Sequence, residues 1–184
     1  MIIFLAMTPE RGPDQTSPET KPDWKTWKTV VVGGKSSQVL EREIKRKSVN
    51  VSEYALEMMK DEGFVTLKHP EQINFVLLKV EDLGFANLAG TDQIFKRAQK
   101  LGLDLCPPEA AAALRLEYDD QPWGERLYVG MKQITVDKYS HPCIFELARI
   151  KEGLWLYDDW AMPDAPWGPK KSFIFRLPEN SPQR

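Results

Sequence analysis

Two short segments of the chain concentrate residues able to do chemistry. Tyr118, Asp119, Asp120 and Trp123 lie together in the first, and Trp155, Tyr157, Asp158, Asp159, Trp160, Asp164 and Trp167 in the second. Flat rings beside carboxylates suit stacking on a sugar, a base or a cationic group, with the carboxylates accepting hydroxyl or ammonium hydrogens. Tyr118, Asp119, Trp123, Trp155, Tyr157, Asp158 and Trp160 are therefore the candidate ligand-binding set, on the condition that the second segment folds back beside the first. Two carboxylates can also perform acid/base hydrolysis. Their spacing matches no calcium loop. The competing structural account is that the tryptophans complete the edge of the core and the aspartates cap turns.

The thiols are the next candidates. Cys106 stands directly before Pro107-Pro108-Glu109, at the start of a predicted helix. A helix N-terminus stabilises a thiolate, and a nucleophile there would need His69 or His141 as base. Helix seating explains the same residues, since free cysteine is among the most buried types. His141 and Cys143 would share a face of a strand, but no third catalytic member and no further metal ligand accompany them. No catalytic residue, cofactor or metal is assigned, and whether the chain is an enzyme stays open, with a hydrolase or thiol enzyme as one alternative.

Lys35, Arg42, Lys45, Arg46 and Lys47 form a basic set around the first predicted helix. The Trp24 to Gly63 segment has the strand-helix-helix outline of a ribbon-helix-helix DNA binder, which would read DNA through Lys25, Lys28 or Thr29. A DNA-binding regulator is thus a second alternative. Glu53, Glu57, Asp61 and Glu62 on the second helix would repel phosphates, so nucleic acid is not the expected partner. Gly33-Gly34-Lys35-Ser36 follows a strand but lacks the spacing of a phosphate loop.

These residues need elements to hold them. A chain of 184 residues fits one domain able to bury roughly 70% of its unfolded surface, so no disulfide or metal is required. A net charge of -2 gives no global pull toward nucleic acid or membrane. Two cysteines make no disulfide framework, which suggests a reduced, cytoplasmic setting. The start, MIIFLAM, has no cationic region or cleavage site of a signal peptide, and no run approaches the ~20 apolar residues of a membrane span.

Residues 1–23 read as an N-terminal extension, because Thr8 to Asp23 is rich in Pro, Thr and charge without apolar period. Residues 24–184 read as a single domain, with a β-α-α portion over 24–65 and the main sheet over 73–184. Trp24 to Val32 is a predicted strand, ended by the two glycines, and Ser36 or Ser37 caps a helix to about Lys47. Asn50 with Glu53 predicts the next helix start, with Val49 stapled on Tyr54 and Gly63 as a left-handed stop. Ile73 to Val80 is apolar enough for an interior strand. Thr91 opens a helix ended by Gly102, and Pro107 starts another that runs to Leu114. From Leu114 the period changes to two, which predicts a hairpin of Leu114–Tyr118 with Leu127–Met131 across DDQPWG. Strands follow near Cys143–Ile150, Leu154–Tyr157 and Ser172–Leu177.

This order predicts an α+β fold. Its sheet is largely antiparallel, its helices pack on one side, and they concentrate in the N-terminal two thirds. The stretch KLGLDLCPPE, LRLEYDDQPWGERLYVGMKQIT, GLWLYDDW and the terminal FIFRL resembles a family of uncharacterised bacterial proteins, most specifically from Cys106 to Thr135. Ala111-Ala112-Ala113 departs from the valine-glycine-proline type segment of that family. The resemblance implies an α+β fold and an origin of the kind found on integron gene cassettes; it implies no activity. The expectation is a binding protein, recognising a small molecule or a partner protein through an aromatic/acidic surface pocket. A homodimer is expected from the apolar N-terminus and the tryptophans.

Overall fold

The computed structural model describes residues 22–136 and 140–179. The expected N-terminal extension lies outside these residues apart from Pro22 and Asp23. The strands are β1 (Lys28–Val32), β2 (Asn50–Val51), β3 (Glu71–Lys79), β4 (Arg126–Val129), β5 (Ile134–Thr135), β6 (Pro142–Ile150), β7 (Gly153–Trp160) and β8 (Ser172–Arg176). The helices are α1 (Ser37–Arg46), α2 (Glu53–Lys60), α3 (Thr91–Lys100) and α4 (Ala110–Glu117). One sheet runs in the order β1-β3-β8-β4-β6-β7-β2, with β5 paired to β6. Its pairings are antiparallel except β4 with β8 and β2 with β7. The fold is thus α+β with a mixed, largely antiparallel sheet. The β-α-α portion is woven into it, through β1 on β3 and β2 on β7.

Strand parity sorts the side chains into two faces. Val30, Phe75, Leu127, Leu147 and Leu156 point to one, and Tyr128, Glu146, Tyr157, Phe173 and Phe175 to the other. Helices α2 and α4 pack on the first face. Ser52 reaches Asp158, Phe64 meets Phe145 edge-on at 5.8 Å, and the Lys28 ammonium lies 4.4 Å from the Tyr118 ring centroid. Helix α1 packs beside α4, and Lys47 bonds the Leu116 carbonyl. Helix α3 lies on the second face, where Phe95 meets Phe173 and Phe175, each at 6.2 Å. The helices therefore do not share one side, because the apolar stripe of α3 needs the phenylalanines of β8. Among the described residues all four do precede Tyr118.

Local chemistry explains most boundaries. Gly33 and Gly34 have φ of 98° and 71°, and a Cβ on Gly33 would stand 2.4 Å from the His69 carbonyl oxygen. The turn out of β1 thus requires glycine. Helix α2 starts two residues later than the Asn50 pattern predicts. Ser52 is its cap and accepts from the Ala55 N–H at 3.1 Å, while Asn50 pairs with β7 and donates to the Glu152 carbonyl. Gly63 is no left-handed stop either; the helix ends at Lys60, and the Asp61 carboxylate accepts from the Gly63 N–H at 2.8 Å.

The largest departure is at α4, where Leu114–Glu117 is helix rather than strand and Tyr118 is its C-cap, so the predicted hairpin does not form. Every residue from Ala110 to Arg115 is buried, as is Tyr118, and a continuous run of this kind is not the alternation of a half-buried strand. Ala, Leu, Arg and Glu are the strongest helix formers, and they decide a segment too short for periodicity alone. Strand β4 instead pairs with β6 and β8. No helix among the described residues is long and apolar enough to cross a membrane.

Candidate functional site

The seven expected ligand residues fall in three places. Tyr118 sits at the end of α4 on the helix-bearing face, only 6% exposed, edge-on to Trp27 at 5.1 Å. Its hydroxyl donates to Glu125 at 2.9 Å; burial first, then that carboxylate, push the phenol up. Asp119 is exposed and paired with Lys47 at 2.6 Å, and Trp123 stands 78% exposed on the following turn. That turn is pinned to β6, where the Arg149 guanidinium donates to the Gln121 carbonyl at 2.9 Å. Asp158 also points to the helix-bearing face and accepts from the Ser52 hydroxyl at 2.5 Å. Trp160 is 55% exposed at the end of β7, against His141 at 4.9 Å. Only Trp155 and Tyr157 meet, stacked at 4.6 Å and 16° on the opposite face. The acidic turn and the aromatic strand thus do not close into one pocket.

The Trp155–Tyr157 stack stands beside a polar set that was not anticipated. Glu146 faces Tyr157 across the β6–β7 ladder and Tyr128 across β4–β6, and Asp159 lies one diagonal further along β7. Arg126, two residues before Tyr128, shares their face. Its Nη1 donates to Glu146 at 2.7 Å, and its guanidinium carbon lies 5.9 Å from the Tyr157 centroid. Lys171, just before β8, donates to the Tyr128 hydroxyl at 2.8 Å. Trp167 packs on Tyr128 at 4.7 Å and donates through its indole to Thr91 at 2.8 Å, which closes the set off from α3. The Trp155 indole nitrogen is buried and has no acceptor among the described residues.

The charges here are layered. The Glu146 side chain is 2% exposed, whereas that of its partner Arg126 is 46% exposed, and Lys171 is also exposed. Burial raises the Glu146 carboxyl and outweighs the pull of Arg126; the Asp159 charge adds to the rise and Lys171 opposes it. Burial likewise raises Asp159, against the Trp160 N–H bond and the charges of Lys171 and Arg126. The bond to Tyr128 raises Lys171. For Arg126 desolvation acts downward, but the Glu146 charge and hydrogen bond prevail and raise it. Each carboxyl feels both cations, so the four groups form one electrostatic unit of the kind found at functional sites. A signal for it existed: a glutamate in the middle of PCIFELARI, an otherwise nearly apolar strand.

The other candidates are structural in this arrangement. Cys106 is buried, its N–H bonded to the Gly130 carbonyl, and burial pushes its thiol up rather than down. It precedes the cap of α4 by three residues and so does not sit at the helix N-terminus. Burial also pushes the Cys143 thiol up to about 11, against a hydrogen bond from Tyr54. Both thiols should therefore react with iodoacetamide far more slowly than free cysteine in the native state and fully in denaturant. Labelling of either at the free-cysteine rate in the native protein would contradict this burial. Glu109 is 1% exposed and accepts from the Leu67 N–H, fastening a loop to α4. A cleft of about 40 Å³ beside it, between Val31, Lys35, Leu40, Leu116 and Glu117, has room for waters but not for an organic ligand. In the basic set Lys35 is paired with Glu43 and Lys47 with Asp119. Among the described residues no group of three or more His, Cys, Asp or Glu could hold a metal ion.

Comparison with family models, with curated proteins and with solved structures gives no match.

Proposed function

We propose that this is a binding protein that takes a small molecule on the β4–β6–β7 face, with the Trp155–Tyr157 stack as platform. The observation that carries this reading is the Glu146–Arg126 pair. A carboxylate has been taken almost entirely out of water to hold one side of an accessible guanidinium beside that stack. Burying an ion pair contributes little to stability and is often inferior to apolar packing. An oriented arginine next to stacked rings is, in contrast, a recognition device. The thiol-enzyme alternative has no activated thiol to use. The DNA-binding alternative loses its strand to the sheet and part of its basic set to ion pairs.

The test is a thermal-shift screen with nucleotides, sugars and amines. A ligand at about a hundred times its Kd stabilises by ~2.7 kcal/mol, which for a chain of this length raises Tm by about 5 °C or more. The expected result is such a shift with at least one class, lost in Trp155→Leu. Silence across all classes would sink the proposal.

A further inference from the structure

We infer that the ligand of this face is a flat-ringed compound carrying an anionic group, held by stacking on Trp155 and Tyr157 and by the charges of Arg126 and Lys171. This rests on the binding reading above and specifies its chemistry. The sequence alone points instead to rings with carboxylates that accept hydroxyl or ammonium hydrogens, from a sugar, a base or a cationic group. The layering reverses that. Of the carboxylates on this face, Glu146 is 2% exposed and Asp159 half-buried, and the Asp159 oxygen already accepts from the Trp160 N–H at 2.8 Å. Of the two acids in the expected ligand set, Asp158 points to the far side of the sheet and Asp119 is paired with Lys47. What an incoming molecule meets is the exposed half of Arg126 and the exposed Lys171.

Both cations are pre-positioned. Among the described residues Arg126 spends only Nη1 of its fork, on Glu146, and keeps its other N–H groups for a second partner. The Tyr157 ring beneath it limits its rotation. Lys171 is anchored by the Tyr128 hydroxyl, itself fixed under Trp167. A guanidinium fork whose geometry is fixed by a buried carboxylate matches a carboxylate or phosphate oxygen pair, and a second ammonium strengthens the field. The neighbouring rings then select for a planar body attached to that anion. A cationic amine would meet like charge first and would have to displace Arg126 to reach Glu146.

Calorimetric titration of charge-matched probes tests this. Adenosine monophosphate against adenosine, and indole acetate against tryptamine, separate the charge from the ring, and inorganic phosphate alone separates the ring from the charge. The two anions distinguish a phosphate from a carboxylate source. At least one anionic ring compound should bind tenfold or more tighter than its uncharged or cationic counterpart and than phosphate. Its binding should weaken with added salt. Lys171→Gln, at an exposed position, and the double variant Arg126→Gln with Glu146→Gln, which leaves no unpaired buried charge, should each weaken it at least tenfold. Equal or tighter binding of adenosine or tryptamine, abolished by Trp155→Leu, would overturn the anionic assignment and leave the binding function standing. Anion binding indifferent to both charge variants would place the site elsewhere and overturn it too. If no probe binds and the wider thermal-shift screen is also silent, the binding function falls with it.

Discussion

Arg115→Ala should destabilise the protein by about 4 kcal/mol, the largest single-residue effect expected outside the apolar core. Arg115 is fully buried, yet among the described residues no carboxylate pairs with it. Its guanidinium donates instead to the Gln121 side-chain oxygen and to the Tyr118 carbonyl. It thereby closes the C-terminal end of α4 and fixes the turn that leads to β4. Gln121, also fully buried, carries the link onward to the Leu147 carbonyl at 3.0 Å and the Glu125 carbonyl at 3.2 Å. Removing the side chain leaves a cavity and strands two buried acceptors. Part of the loss is offset, because burial already strains the charge and brings the guanidinium down to about 10. Arg115→Met separates the two effects. It refills the volume and removes the buried charge, so it should lose about half as much as Ala. Urea denaturation at neutral pH reads both. An Ala variant within about 0.5 kcal/mol of wild type would show that this clamp does not hold the turn.

Arg115 also shows where sequence reading stops. In isolation LRLEY alternates apolar with charged residues, and an arginine in an alternating run belongs on the wet side. In the folded chain the run is helical and the arginine faces inward. Helix propensity favours the helix, but the inward arginine depends on the acceptors at Tyr118 and Gln121, and Gln121 is held by the Leu147 carbonyl of β6. Elements with longer periodicity were legible. The apolar stripes of α1 and α3, the nearly apolar β6 and the runs of β3 and β8 appear within a residue or two of their expected bounds. Asn50 misled because its neighbour Ser52 caps equally well, and β7 claims Asn50 as a strand partner.

The candidate site divides in the same way. Trp155 and Tyr157 were expected, and parity along β7 adds Asp159 to their face while sending Asp158 to the other, a distinction legible from alternation alone. Arg126 and Lys171 were not legible. They reach Glu146 and Tyr128 only because β4 lies between β8 and β6, a parallel pairing with β8 on one side and an antiparallel one with β6 on the other. No local pattern encodes that order.

Arg126→Ala should cost roughly 2 kcal/mol near pH 7.5, and the loss should shrink as the solution is acidified. Removing one partner of a fully buried pair costs about 3–5 kcal/mol; the lower figure reflects solvent around Arg126, whose side chain is 46% exposed. The pH dependence follows from Glu146. Its carboxyl is raised above the ordinary value in the folded state, so the folded chain holds the proton more tightly than the unfolded chain. Its contribution is fully present below the ordinary glutamate range and is lost as pH rises through the raised value. Without Arg126 that value rises further, so stability falls over a wider window on the alkaline side. Glu146→Gln carries no titrating group and should remove this slope. Because burial outweighs Arg126 at Glu146, that variant should be no less stable than wild type at neutral pH. In the Glu146→Gln background Arg126→Ala should cost almost nothing, which makes the pair strongly non-additive. Asp159 is raised as well and adds its own slope to all four proteins, so the differences across the cycle are the quantities to compare. Tm measured from about pH 5 to about pH 8 on the four proteins reads the whole cycle. A loss from Arg126→Ala that is the same at both ends, or the same with Gln at 146, would mean that Glu146 does not hold Arg126 electrostatically. If the cycle behaves as expected, Glu146 holds the Arg126 guanidinium in place without adding net stability, which is compatible with a binding site on this face.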